Sequence, residues 1–303
     1  MPDSTPDTPT LKARLVHGVL RAMGLLPLRL LRGIGTAAGY LMWRQQGRAY
    51  KVTQKNIELC FPELDQQQRQ QLVRRSLEET AKVGAELAQV WAAPWQRTRD
   101  KIVEVEGQAL FEEAIATGRG TVLLAPHLGN WEVLGLYLQD VTQMTVLYQP
   151  PKQAALEWVI KSSRERSGSV SVPTNKRGVL SLIKTLQNGG TTGILPDQQP
   201  DLSGGSFAPF FGVQALTVTL VDSLLRRNGC VAVMGYAKRV EGGYKIIFSA
   251  PDQDIYHEDR DQALAAMNRS VEACVRQCPE QYQWEYKRFN KQPEGQPRFY
   301  KGL

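Results

Sequence analysis

Hydrophobic and polar positions change their spacing along the chain, and the spacing predicts its elements. From Leu11 to Leu26, Arg14, His17 and Arg21 share one helical stripe while Leu15, Val16, Val19, Leu20, Met23 and Leu26 fall opposite, as in an amphipathic helix. Pro27 suits the first turn of a second helix, with Arg29 and Arg32 one turn apart and an uncharged run from Gly33 to Trp43. That run falls well short of the roughly 20 residues needed to span a bilayer. The arginines suit helices lying in a membrane interface with their guanidinium groups at the headgroups; the alternative is that these helices pack on the protein's own core. A third helix is expected from Gln66 to about Trp91, capped by Asp65, with Leu72, Leu77, Ala81, Leu87 and Val90 as its packing face and a solvated charged face opposite.

From Lys101 onward the pattern alternates. Short apolar runs at Ile102 to Val105, Val122 to Ala125, Thr145 to Tyr148, Val170 to Val172, Thr192 to Leu195, Val231 to Ala237 and Lys245 to Phe248 read as strands, with helices between most of them. The fold class expected is α/β, a mixed sheet flanked by helices, carrying an N-terminal amphipathic helical membrane-association region. Boundaries follow: a Pro-, Asp- and Thr-rich tail over 1–10, the amphipathic helices over 11–46, one catalytic-size domain over 47–292 and a tail over 293–303. Ser203-Gly204-Gly205 opens what reads as a loop up to Gly212, in which Phe207, Phe210 and Phe211 either line a groove or pack in the core. Gly33-Ile34-Gly35 superficially fits a dinucleotide fingerprint, but it follows no strand, so close packing of small residues in a helix explains it better.

The 303-residue chain carries a net charge of +7, which suits an anionic membrane surface, an acidic protein partner or nucleic acid. No nucleic-acid-binding module is present, so that partner is not expected. Cys60, Cys230, Cys274 and Cys278 do not make a disulfide framework for a chain this long. They read as reduced thiols of a cytoplasmic compartment, with a zinc site at Cys274 and Cys278 as the minor alternative. Met1 to Thr10 lacks the basic start of a signal peptide, so export is not expected.

The stretch Leu123-Leu124-Ala125-Pro126-His127-Leu128-Gly129-Asn130-Trp131-Glu132 carries the candidate chemistry. Positions five apart lie about 140° apart on a helix and on opposite faces of a strand, so His127 and Glu132 cooperate only if a turn separates them. Pro126 ends the strand, Gly129-Asn130 supplies the turn, and Trp131 to Gln139 has helical character. His127 would then emerge at the strand's carboxyl end, where open sheets place their chemistry, with Glu132 in a first helical turn. On the residues alone, a base with its orienting carboxylate competes with a strand-capping histidine and a solvated glutamate. A zinc-protease arrangement is excluded by the single histidine, and no metal site is expected. Neither a Gly-x-Ser-x-Gly elbow nor a nucleotide-binding Gly-Lys-Ser/Thr loop occurs.

The segment from Gly118 through Glu132 resembles the first block of the late lipid A biosynthesis acyltransferases, the lauroyl and myristoyl transferases of the lysophospholipid acyltransferase superfamily. Asn56 to Leu64, Tyr148-Gln149-Pro150 with Arg164, Pro196-Asp197-Gln198, Phe210-Phe211-Gly212 and Tyr282 to Phe289 resemble its further blocks, in order, over roughly residues 15 to 290. The resemblance implies a glycerolipid acyltransferase-like fold, with His127 as general base and Glu132 as the carboxylate that fixes its tautomer. It implies substrate-binding roles for Arg164, as an anion contact, and Asp197, which would orient Arg164 or a substrate hydroxyl; Arg166 is an alternative match for Arg164. The implied donor is acyl carrier protein with its acyl chain on phosphopantetheine, no cofactor is bound, and no acyl-enzyme forms. The implied acceptor is an anionic lipid A precursor at the cytoplasmic face of the inner membrane. Another membrane lipid acceptor, or a non-catalytic lipid-binding homologue, are the alternative readings.

Overall fold

The computed structural model describes residues 11–149 and 170–303. Two helices come first, α1 (Leu11–Gly24) and α2 (Leu28–Gln45), then α3 (Arg48–Cys60), the long α4 (Gln66–Ala92) and the short α5 (Trp95–Arg99). Asp65 caps α4 in a reciprocal box with Gln68, as the sequence predicts. Strands and helices then alternate: β1 (Ile102–Glu106), α6 (Gln108–Ala116), β2 (Thr121–Leu124), α7 (Trp131–Leu138), β3 (Met144–Tyr148), β4 (Val170–Pro173), α8 (Lys176–Gln187) and β5 (Thr191–Ile194). The chain continues through β6 (Gly205–Phe210), β7 (Val213–Val218), α9 (Leu220–Asn228), β8 (Val231–Val240), β9 (Gly243–Ser249) and α10 (Arg260–Gln277).

Seven strands form one sheet in the order β1-β9-β8-β2-β5-β3-β4. β4, β3, β5, β2 and β8 run parallel, and β9 turns back antiparallel to β8 with β1 parallel to it. β2 lies in the middle and is buried on both faces. Val122 and Leu124 point into a core completed by α8, α9 and α10, whereas Leu123 and Ala125 point into a core completed by α6 and α7. The expected mixed sheet flanked by helices is thus present, with parallel carboxyl ends gathered on one edge.

The segment expected as a loop over 203–212 is instead the first strand of a separate two-stranded antiparallel hairpin, β6–β7. Gly204, Gly205 and Pro209 read as breakers, yet a two-stranded ribbon is all edge and accepts a proline. Phe210 and Phe211 pack with Phe61, Tyr282, Trp284 and Phe289 in an aromatic cluster. The last residues, expected as a tail, fold back so that buried Tyr300 donates its hydroxyl hydrogen bond to Asn56.

The N-terminal helices lie against α4, and the glycines explain how closely. A Cβ on Gly39 would sit 2.3 Å from Glu78 Cα, and one on Gly35 would sit 2.6 Å from Lys82 Cα. Small residues therefore let the α2 and α4 backbones meet, as expected for this run, although Gly33 itself faces open space. Leu28 and Leu31 are buried on the same face, while Leu30, Ile34 and Leu41 stand exposed opposite. Among the described residues no helix is long and apolar enough to cross a membrane. Overpacking a tight core contact typically costs about 1–3 kcal/mol. Gly39→Leu should therefore lower stability by at least that much in urea unfolding followed by circular dichroism; an unchanged midpoint would show that α2 does not dock as described.

Candidate active site

The end of β2 is shaped by three consecutive requirements. Pro126 closes the strand, and Gly129 adopts φ +64° where a Cβ would stand 2.0 Å from the carbonyl oxygen of Ala237. Asn130 then caps α7 by accepting from the Val133 N–H at 3.2 Å. His127 is held between the strand and this turn. Its carbonyl accepts from Gln283 N–H at 3.1 Å, and Gly129 N–H donates to the Gln281 carbonyl at 3.0 Å. The segment Gln281–Gln283 therefore braces the turn from the far end of the chain.

Asp197, three residues beyond β5, reaches His127 from the neighbouring parallel strand. One carboxylate oxygen lies 2.8 Å from His127 Nδ1, and the other accepts the His127 backbone N–H at 2.8 Å. With Nδ1–H donating to a carboxylate, Nε2 keeps its lone pair, and the Gln198 amide donates to it at 3.1 Å. Gln198 also donates to Gln283 Oε1 at 3.1 Å. Burial alone would raise the Asp197 carboxyl, but its electrostatic attraction to the His127 ring, both hydrogen bonds from His127 and the Arg288 guanidinium together hold it below its ordinary value. Tyr282, wholly buried beside it, stays protonated because of burial and the Asp197 charge.

Glu132, expected as the carboxylate that orients His127, is not among the hydrogen-bond partners of that ring. Both ring nitrogens of His127 have other partners, and the carboxylate that fixes the tautomer is that of Asp197. Glu132 stands in the first turn of α7, where the helix dipole favours an anion, and accepts from the Trp91 indole at 3.2 Å. Adjacent parallel strands bring the ends of β2 and β5 side by side, and so bring Asp197 to His127. Arg164 and its alternative Arg166 lie outside the described residues.

Two cavities meet at Trp131, whose ring packs edge-on to His127 with centroids 4.9 Å apart. A cleft of about 240 Å³ is lined by His127, Trp131, Gln283 and Glu285 with Thr80 and Leu87 of α4. Burial raises the Glu285 carboxyl, eased by hydrogen bonds that include the Thr80 hydroxyl at 3.0 Å. On the other side an apolar cavity of about 120 Å³ runs between α7 and strands β2, β5 and β3, lined by Glu132 and Trp131 together with Leu134, Leu138, Met144 and Val146. Gly135 and Gly193 also line it, and their missing side chains leave space there. None of Phe207, Phe210 and Phe211 lines this cavity. Gln198, Gln283 and Glu285 sit in blocks the resemblance highlighted, but nothing in sequence spacing told that they converge on His127.

Comparison with known proteins decides the family. Residues 7–291 match the family described as bacterial lipid A biosynthesis acyltransferase. The chain belongs to that family. It is 30% identical over 287 residues to a lipid A biosynthesis palmitoleoyltransferase of Escherichia coli (strain K12), covering 93% of this chain and 92% of that protein. Identity and coverage are the same with a lipid A biosynthesis lauroyltransferase of that strain. A lipid A biosynthesis myristoyltransferase of the same strain is 24% identical over 283 residues, covering 90% of this chain and 83% of that one. For a member of this family, a histidine whose tautomer is fixed beside an apolar cavity suits acyl transfer.

Asp197→Asn tests the pair. Asp197 offers two acceptor oxygens to two donors, and asparagine would set an NH2 against one of them, stranding a buried N–H at about 1–3 kcal/mol or forcing the other histidine tautomer. A carboxylate held below its ordinary value stabilises the fold above its unfolded pKa of about 3.9, and that contribution fades as pH falls through the lower folded value. Asp197→Asn should accordingly be less stable at neutral pH and lose less further stability below about pH 4 than wild type. Urea unfolding across that range checks it, and identical pH slopes would contradict it.

Proposed function

We propose that the protein transfers a fatty acyl chain from the phosphopantetheine thioester of acyl carrier protein to a hydroxyl of a lipid A precursor. The observation that carries this reading is the His127–Asp197 pair placed beside an apolar cavity, in a chain of this family. Family members named for palmitoleoyl, lauroyl and myristoyl transfer support the reaction class.

The chemistry follows from the tautomer. Gln198 yields Nε2 to the acceptor hydroxyl, and His127 removes its proton as the oxygen attacks the thioester carbonyl. Asp197 keeps Nδ1–H in place and favours the imidazolium while it lasts. The tetrahedral species collapses with cleavage of the C–S bond, and the imidazolium returns its proton to the departing thiolate. The products are an ester on the acceptor and a free phosphopantetheine thiol. No acyl-enzyme is needed, and the cysteines do not offer one: all four are buried, and burial pushes Cys274 up to about 11 and Cys278 to about 12, so neither supplies a thiolate.

The acyl chain occupies the apolar cavity, and the acceptor enters the cleft on the Gln283 and Glu285 side of Trp131. Arg164, outside the described residues, is assigned the acceptor-phosphate contact that the resemblance implies. The exposed stripe of Leu30, Ile34 and Leu41 rests on the cytoplasmic surface of the inner membrane, where the lipid acceptor resides, and acyl carrier protein approaches from the cytoplasm.

Purified enzyme, acyl carrier protein loaded with chains of defined length and a lipid A precursor, followed by mass spectrometry, test the proposal. His127→Ala should lose about two to four powers of ten in rate with its fold intact. Gly135→Leu should fill the cavity and shift acceptance toward shorter chains. A fully active His127→Ala would refute the chemistry, and an unchanged chain-length profile in Gly135→Leu would remove the acyl chain from this cavity.

A further inference from the structure

A second polar recess, of about 570 Å³, shares no lining residue with the cleft at His127 or with the apolar cavity. It lies where α2 begins against α4 and α5, beside the β8–β9 turn at Gly242. Pro27 gives α2 no side-chain cap, and the Leu30 and Leu31 N–H groups turn back to its carbonyl, so the positive end of an 18-residue helix opens on the recess.

Four cations line it with one carboxylate. Arg32 is committed to Glu86, and Arg97 spends one N–H on the Leu25 carbonyl. Arg29 and Lys101 are exposed and form no ion pair among the described residues. Asp100, the acid in the wall, accepts from the Gln96 amide. The recess is therefore net positive.

An independent observation points to a ligand. Gln89 lines the recess with only 3% of its surface exposed, and its amide oxygen is buried without a hydrogen-bond partner. Buried acceptors are normally satisfied, so a ligand that seats a phosphate on the cations and offers a hydroxyl to Gln89 would complete the site. Flanking it, Leu25 is 55% exposed and Leu30 50% exposed, apolar surface suited to the chains attached to such a headgroup. At about 100° per residue, Arg29 falls on α2 between the docked face of Leu28 and the exposed stripe of Leu30 and Ile34.

We propose that this recess binds the headgroup of an anionic phospholipid bearing a hydroxyl, as in phosphatidylglycerol, and so fixes how the enzyme sits on the membrane. The proposal rests on the membrane-surface part of the function above and not on its acyl-transfer chemistry. It is distinct from substrate capture, because the recess holds none of the residues around His127.

The test is sedimentation of the full chain with phosphatidylcholine vesicles and with equimolar phosphatidylcholine and phosphatidylglycerol. Wild type should prefer the anionic vesicles. Arg29→Ala/Lys101→Ala should weaken that binding about tenfold more than Arg14→Ala/Arg21→Ala, which removes the same charge from exposed positions of α1. Circular dichroism confirms folding of each. Equal losses from the two pairs would reduce the recess to general surface charge and overturn the proposal while leaving membrane association standing. Failure of wild type to bind either vesicle would overturn both. Calorimetry with inorganic phosphate separates the sources: phosphate binding abolished by Arg29→Ala/Lys101→Ala, without preference for the anionic vesicles, would mean a free-anion site and would also overturn the lipid assignment.

Discussion

Glu86 is a wholly buried carboxylate in the last third of α4, and much of the molecule is arranged to make that burial tolerable. Arg32 of α2 donates to one oxygen at 2.7 Å, and Asn130 of the turn after β2 donates to the other at 2.9 Å. Arg239 of β8 lies 3.7 Å from the second oxygen, pairs with Glu79 at 2.7 Å and donates to the Gly129 carbonyl at 2.9 Å. Arg32 also donates to the carbonyls of Val240 and Gly243. A buried charge stripped of a partner typically costs about 3–5 kcal/mol. The first helices, the long helix, the central sheet and the turn that carries His127 are thus held in register through one ion.

That constraint reaches the chemistry through Asn130 and Gly129, which fix the turn that presents His127. Asp197 then sets the proton on Nδ1 from the adjacent strand, and Gln198 donates to the free lone pair on Nε2. The arrangement also explains why the N-terminal region is no detachable anchor. Removing residues 11–43 would take away Arg32 and expose the glycine-packed face of α4, so a deletion would test folding as much as membrane binding.

Local signals in the sequence carried the alternating strands, the Asp65 cap and the turn after β2, because each depends on neighbours within a few positions. The rest depends on partners far apart in the chain. Glu79 and Glu86 read as members of a solvated helix face, yet their partners at Arg239, Arg32 and Asn130 lie dozens of residues away and pull them inside. Arg32, expected at lipid headgroups, is mostly buried for the same reason. Asp197 was visible as a motif residue, but its approach to His127 required knowing that β2 and β5 are parallel neighbours. The β6–β7 hairpin was hidden by its own glycines and proline, which signal a loop unless the pairing partner is known.

The central claim is that His127 and Asp197 act as one unit, with Glu132 in a separate role. Two double-mutant cycles for acyl transfer test it, one combining His127→Ala with Asp197→Asn and one combining Asp197→Asn with Glu132→Gln. A carboxylate has nothing to orient once the imidazole is gone, so the first double variant should be little slower than His127→Ala alone. Asp197 and Glu132 should instead give penalties that add in free energy. Additive losses in the first cycle, or a Glu132→Gln effect wholly masked by Asp197→Asn, would contradict the account.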